Sequence, residues 1–300
     1  MSKISVIIPS FNRAKYLGDT IRSVLGQSFQ DFEIIIVDDG STDNTKEIVL
    51  DFQKRDNRIK YLYQNNKGTS SAKNTGIKLS QGDFLQFLDS DDLIEEKKLE
   101  VQVYHLNTNP DTDIVYSDAR FFPDEDIAKR YYSLDGKNRP WMPKISGSGE
   151  ELLKLLLSRN IMPTSAPLLR KNIFKIIKPF DESLICYEDW DLWIRCALAN
   201  KKFFFLNSEG SLTLIRFHPN SLSTDLIKMY KSKLKVQLKI MGSLNGNLLK
   251  INKRGYNNTS ILLLLELFKK DKRFNHLIKL LYHAFKAFYF KAVSLQLKQL

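Results

Sequence analysis

The chain has 300 residues, 43% of them hydrophobic, with 46 Lys+Arg against 34 Asp+Glu and only two cysteines. That length supports one large core with an appendage, and Cys186 and Cys196 are too few for a disulfide scaffold, so a reducing compartment is expected. No apolar run approaches the ~20 residues that span a bilayer, and the formal charge of +12 divides into −2 over residues 1–225 and +14 over residues 226–300.

Ile4 to Ile8 is a near-continuous apolar run closed by Pro9, which reads as a buried strand of the parallel type. The opening MSKISVIIPSF has no secretory apolar core, so a cytoplasmic location is expected. Leu17, Ile21, Val24 and Leu25 then recur with a helical period. Phe32 to Val37 predicts a second strand ending in Asp38-Asp39-Gly40, and Ser41, Thr42 and Asp43 supply caps for a helix through Ile48, Val49 and Phe52. A third strand is expected over Ile59–Tyr63, a third helix over Ser70–Leu79 and a fourth strand over Phe84–Leu88. Alternating strands and helices imply βαβ units on a parallel sheet, with ligands where strands end.

The fourth strand stops in three carboxylates, Asp89, Asp91 and Asp92, with only Ser90 among them. Such a cluster suits a hard cation such as Mg²⁺ or Mn²⁺, while an acidic turn capping the next helix explains it equally well. Neither a GxGxxG nor a GxxxxGK[ST] pattern occurs. Glycine loops therefore do not cradle phosphates here, and a metal held by the acidic turn is the alternative.

SVIIPSFNRAKYL, QSFQDFEIIIVDDGSTDNT, KGTSSAKNTGI and QGDFLQFLDSDD, in this order and spacing, resemble the signature of glycosyltransferase family 2. YEDWDLWIR at residues 187–195 continues the resemblance, and RFHPNSLS at 216–223 does so more loosely. The resemblance implies a GT-A fold, a Rossmann-like α/β sandwich that binds a sugar nucleotide through a DxD motif and a divalent metal. It also implies inversion at the anomeric carbon and a place in polysaccharide biosynthesis.

Carried over residue by residue, the resemblance places Asp39 at the nucleotide base, where a carboxylate accepts a uracil N–H; an Asx turn before Gly40 is the other explanation. Asp38 is expected to be structural. Pro9, Ser10 and Asn12 fall where the family touches the nucleoside, although Ser10 and Asn12 serve equally well as helix-cap chemistry. Lys73 stands where the family has Arg, offering charge to the nucleotide without a planar fork. Asp91 is expected on the metal first, Asp89 at the metal too, serving it, the ribose or a metal-bound water, and Asp92 at the cluster or capping the next helix. His218 is expected beside the metal and diphosphate, or in a structural hydrogen bond.

Glu188 and Asp189 open a helix, where the dipole favours ionised carboxylates; the resemblance makes Asp189 the base, with Glu188 in support. Trp190 and Trp193 read as core before sugar platforms, and the two cysteines as small buried side chains. Residues 119–149 have little periodicity, and Tyr131, Tyr132 and Trp141 in them are weak candidates for acceptor contacts.

From Leu226 the chain turns helical. Lys272, Lys279 and Lys286 recur every seven residues with His276 and His283 nearby, opposite Leu277, Leu281, Phe285 and Phe288. The apolar face docks on the catalytic domain or a second subunit, giving a homo-oligomer, or else the helices lie on an anionic leaflet; the charge favours the leaflet. No nucleic-acid-binding module is recognisable, and nucleic acid is not expected as a partner. The expectation is a GT-A sandwich over 1–225 with a basic α-helical extension over 226–300. Its activity would be metal-dependent transfer from a UDP-sugar to a glycan or lipid-linked acceptor in cell-surface polysaccharide synthesis, peripheral to the inner face of the plasma membrane. A sugar nucleotidyltransferase would need a basic, glycine-rich loop after the first strand, and a catalytically silent scaffolding relative would have lost carboxylates that this chain keeps.

Overall fold

The computed structural model describes residues 4–134, 138–218, 221 and 224–270. The expected alternation is present: β1 (Ile4–Ser10), α1 (Ala14–Leu25), β2 (Phe32–Asp38), α2 (Thr45–Arg55), β3 (Ile59–Tyr63), α3 (Thr69–Leu79) and β4 (Phe84–Phe87). β1 pairs in parallel with β2 and with β4, and β2 with β3. Side chains alternate across this sheet: Val6, Ile8, Ile34 and Ile36 pack under α1, α2 and α4 (Lys98–Thr108), while Ile7, Leu85 and Phe87 face the opposite layer. Burial on both faces is why these strands read as unbroken apolar runs. At Gly76 in α3 an added Cβ would lie 2.3 Å from Ile7 Cγ2, so the helix rests directly on β1.

Beyond β4 the sheet departs from the parallel expectation. β8 (Pro167–Arg170) inserts antiparallel between β4 and β6 (Ile114–Tyr116), and β9 (Phe203–Phe205) closes the edge, giving the order β3-β2-β1-β4-β8-β6-β9. A second sheet joins β5 (Leu93–Ile94), β10 (Thr213–Phe217) and β7 (Ala119–Pro123). The residue after Asp92 therefore enters a strand and not a helix, which corrects the capping expectation for that carboxylate.

α5 (Glu150–Ser158) and α6 (Glu188–Leu198) cover the second face of the main sheet. Trp190 and Trp193 are fully buried there, as core, and both cysteines are buried and free. α7 (Leu226–Met241) and α8 (Gly246–Lys270) dock on this layer: Val236, Ile240 and Leu244 belong to the same core as Trp190. The lysine, histidine and phenylalanine pattern expected between 272 and 288 lies outside the described residues.

Candidate active site

Every strand end that matters opens on one cleft of about 470 Å³, lined by Pro9, Ser10, Arg13, Asp39, Asp89, Asp91, Glu188 and Arg216 among others. It lies where β1 has β2 on one side and β4 on the other, the position at which a doubly wound sheet leaves a crevice beyond its carboxyl ends. The pairing of β5 with β10 brings the far end of the chain into it. Leu93 is in register with Leu214, and His218, just past β10, places Nε2 3.1 Å from Asp91 Oδ2. The His218 ring stacks on Tyr16, with centroids 5.1 Å apart, which fixes its plane.

The three carboxylates of the acidic turn divide their work. Asp91 faces His218 and also Arg13, whose Nε is 3.3 Å from the same Oδ2. Asp89 leans towards Lys73 Nζ at 3.5 Å and keeps 41% of its side chain exposed. Asp92 is turned inward: its carboxylate accepts from Ser165 Oγ at 2.9 Å and from the Arg216 backbone N–H at 3.2 Å. Burial, reinforced by Asp91 and Asp89, holds the Asp92 carboxyl well above the usual range. Among the described residues no group of three His, Cys, Asp or Glu side chains converges as a metal centre. Of the three ligands expected, Asp91 and His218 meet and Asp89 stands with Lys73 instead.

On the nucleoside side, the two explanations for Ser10 and Asn12 separate. The Ser10 hydroxyl lines the cleft, buried and without a protein partner, an orphaned group of the kind a ligand satisfies. Asn12, in the left-handed region at φ 52°, accepts from the Thr42 backbone N–H at 2.8 Å and so ties the β1–α1 loop to the β2–α2 loop. Asp39 accepts from Gln64 Nε2 and from the Lys67 and Gly68 backbone N–H groups, at 2.7, 2.9 and 2.8 Å. A carboxylate has about four acceptor directions, so it retains one after those three bonds. Asp38 accepts from Tyr61 OH and the Ser41 N–H and serves the loop, as expected.

Tyr187, at φ 61°, turns the chain sharply into α6, whose first residue Glu188 lines the cleft with Asp189 next to it. Glu188 Oε1 accepts from Lys73 Nζ at 2.8 Å. Burial pulls the fully enclosed Lys73 ammonium down, but Asp89, Glu188 and Asp189 outweigh it and its pKa is raised, so the lysine stays charged. Asp189 Oδ2 accepts from Asn160 Nδ2 at 3.0 Å and Oδ1 from the Trp190 N–H at 2.6 Å. Burial, followed by the Glu188 charge, pushes the Asp189 carboxyl up to about 7.

Sequence reasoning passed over Arg13, Asn160, Ser165 and Arg216. Arg13 had a local signal, since it follows Asn12 directly in SFNRAKYL. Arg216 falls within RFHPNSLS, but it and the other two act through partners 29 to 197 residues away, which a local pattern does not name. Of the weak acceptor candidates, Trp141 packs against the core, while Tyr131 bridges to Phe121 and Tyr132 lies under Arg120.

The comparisons with known proteins agree with this geometry. The chain is 33% identical over 238 residues to an uncharacterised glycosyltransferase of Rickettsia bellii, covering 76% of this chain but spanning only 32% of that protein. It is 30% identical over 242 residues to glycosyltransferase GlyG of Streptococcus pneumoniae, covering 77% of this chain and 79% of GlyG. Among solved structures, S. aureus TarS 1–349 in complex with UDP-GlcNAc superposes with a TM-score of 0.64 at 20% identity, over 90% of this chain and 74% of that one. The mannosyltransferase PcManGT from Pyrobaculum calidifontis, in complex with GDP-Man and Mn²⁺, gives 0.64 at 12% identity over 94% and 80%. The family model for glycosyl transferase family 2 matches residues 5–175, and with that the chain, a GT-A-fold transferase, belongs to glycosyltransferase family 2.

Proposed function

We propose that this transferase moves a sugar from a UDP-sugar to a hydroxyl of a glycan or glycolipid acceptor, with inversion and with a divalent metal at Asp91 and His218. The observation that carries the reading is the Asp91–His218 pair, 3.1 Å apart, whose carboxylate lines the same cleft as Ser10 and Asp39. A carboxylate oxygen beside an imidazole nitrogen is a donor set that suits Mn²⁺ and admits Mg²⁺. Asp91 and His218 would hold the cation from the protein side. When bound, the cation supplies charge stabilisation for the departing diphosphate.

The protein's own groups account for the rest. Ser10 and the remaining acceptor direction of Asp39 suit a nucleoside, and a uracil N–H would satisfy Asp39. Asp189, with a carboxyl near 7, takes the proton of the acceptor hydroxyl, since a base is most effective when its pKa lies near the working pH. Glu188, ion-paired to Lys73, keeps a positive charge between the base and the acidic turn.

A second observation bears on location. No described helix is long and apolar enough to cross a membrane. Ile261, Leu262, Leu264, Leu267 and Phe268 are nevertheless exposed on α8, in a region of charge +14. That combination supports a peripheral seat on an anionic leaflet.

Calorimetric titration with UDP, with and without Mn²⁺ or Mg²⁺, tests the reading. Affinity should depend on the metal, Asp91→Ala should abolish that dependence, and His218→Ala should weaken it less. Unchanged affinity after EDTA treatment removes the metal from the assignment, and a nucleotide-sugar hydrolysis screen with no response to UDP-sugars removes the donor.

A further inference from the structure

Two side-chain nitrogens share one oxygen. Arg13 Nε stands 3.3 Å and His218 Nε2 3.1 Å from Asp91 Oδ2. The Arg13 main chain is pinned, because its N–H donates to Thr45 Oγ1 at 3.2 Å and its neighbours Asn12 and Ala14 donate to Ser41 Oγ and Asp43 Oδ2. Its guanidinium is not pinned in this way. Apart from Asp91 it meets only the Asn12 carbonyl among the described residues, at 3.3 Å, and it lines the cleft with 29% of the side chain exposed.

Arg216 makes the contrast. It is 5% exposed, and its nitrogens go to the Asp91 carbonyl, Asp124 and Asp19 at 3.0, 3.2 and 3.2 Å. It braces the turn from behind, and its charge is already matched. Arg13 is therefore the arginine in the cleft whose fork can change partner. A cation on Asp91 would repel the guanidinium now on that oxygen, and a planar fork is the side chain best matched to phosphate oxygens. The chain offers no glycine loop for that task.

We propose that Arg13 is the residue that binds the donor's diphosphate, held on Asp91 until a divalent cation takes that carboxylate. The inference rests on the assignment of Asp91 as a metal ligand. It makes Arg13 an opponent of metal binding and a supporter of nucleotide binding, so its removal has two effects of opposite sign.

The test uses the full chain with Mn²⁺ alone, followed by spin resonance of the free ion, and then UDP at saturating Mn²⁺, followed by calorimetry. Arg13→Met should bind Mn²⁺ alone about three- to tenfold more tightly, because a nearby positive charge is gone. The same variant should bind UDP at least about tenfold more weakly, the loss of a charge-assisted bond. Arg13→Lys keeps the charge without the fork, so its Mn²⁺ affinity should stay at the wild-type value while its UDP affinity falls. Arg13 lies outside the core, so these variants should unfold at the wild-type temperature. Equal Mn²⁺ affinity, equal UDP affinity, or a loss of both in Arg13→Met overturns the inference, provided that Asp91→Asn abolishes the Mn²⁺ response. A wild-type chain that does not bind Mn²⁺ overturns the Asp91 assignment itself, and this inference falls with it.

Discussion

The sharpest expectation concerns Asp189 and pH. Its carboxyl is pushed up to about 7, burial being the largest cause and Glu188 the next, against Lys73, the Asn160 amide and the Trp190 N–H, which pull it down. Only the ionised form can take a proton, so about half of the molecules are competent at pH 7, about a tenth at pH 6 and about nine tenths at pH 8, one pKa unit being a factor of ten. The acid limb of kcat/KM should therefore rise with unit slope and level off above neutrality. Asp189→Asn should lower turnover by ~10²–10⁴ and remove the limb while sparing UDP binding. Asn160→Ala removes a bond to the ionised form and should carry the limb to higher pH; Glu188→Gln removes a like charge and should carry it lower. The assay is initial transfer rate between pH 5 and 9 at fixed metal. An unshifted limb in both neighbours, or a limb that survives in Asp189→Asn, refutes Asp189 as the titrating base.

Gly76→Ala would drive a Cβ to 2.3 Å from Ile7 Cγ2; overpacking of this kind costs about 1–3 kcal/mol, more than helix propensity returns, and calorimetric unfolding should show the loss. Lys98 is fully buried, donates to Gln86 and Gln102 at 2.5 and 3.0 Å, and burial holds its pKa well below the usual value. The unfolded chain then binds the extra proton, so stability should rise as pH approaches 10, and the slope should shrink in Lys98→Met; equal slopes would exclude Lys98 as its source. The C-terminal region should co-sediment with phosphatidylglycerol vesicles and release as salt rises, because the Debye length falls from ~10 Å at 0.1 M to ~3 Å at 1 M. Equal recovery on neutral vesicles would remove the lipid reading.

The first ninety residues were legible because their physics is local. Strands buried on both faces must be apolar throughout, and helices between them must show one apolar stripe, so β1 to β4 and the helices between them could be read within a few residues. What escaped depends on partners far along the chain. Asp92 looks like a helix cap, yet Leu93 pairs with Leu214 and Asp92 bonds Ser165 and the Arg216 backbone. The Lys73 ammonium meets Glu188, 115 residues on, a partner that its own stretch does not name. β8 is an ordinary short apolar run whose antiparallel sense is set by its neighbours and not by its residues.

The division of charge between residues 1–225 and 226–300 is not a division of the fold, because the two regions share packing. Asp191 sits in the first turn of α6, fully buried, two residues beyond the proposed base. Arg195 Nε meets one of its oxygens at 2.8 Å, and Lys239 of α7 reaches the other at 2.9 Å and Asp181 at 2.6 Å. At least one lysine of the basic region is thus part of the catalytic layer, beside Val236 and Ile240 in its core. Cutting the chain near Asp225 would leave the buried Asp191 carboxylate with Arg195 alone and would strip Val236 and Ile240 from the core. A shortened chain that failed to bind vesicles would then report a damaged domain as readily as a missing anchor. The lipid experiment must keep both helices and change only exposed charge. Lys231, Lys235, Lys250 and Lys253 are all exposed, and their joint change to Gln should weaken binding to anionic vesicles without moving the unfolding temperature. Lys239→Gln should do the reverse, lowering that temperature and disturbing α6 while leaving most of the lipid affinity intact.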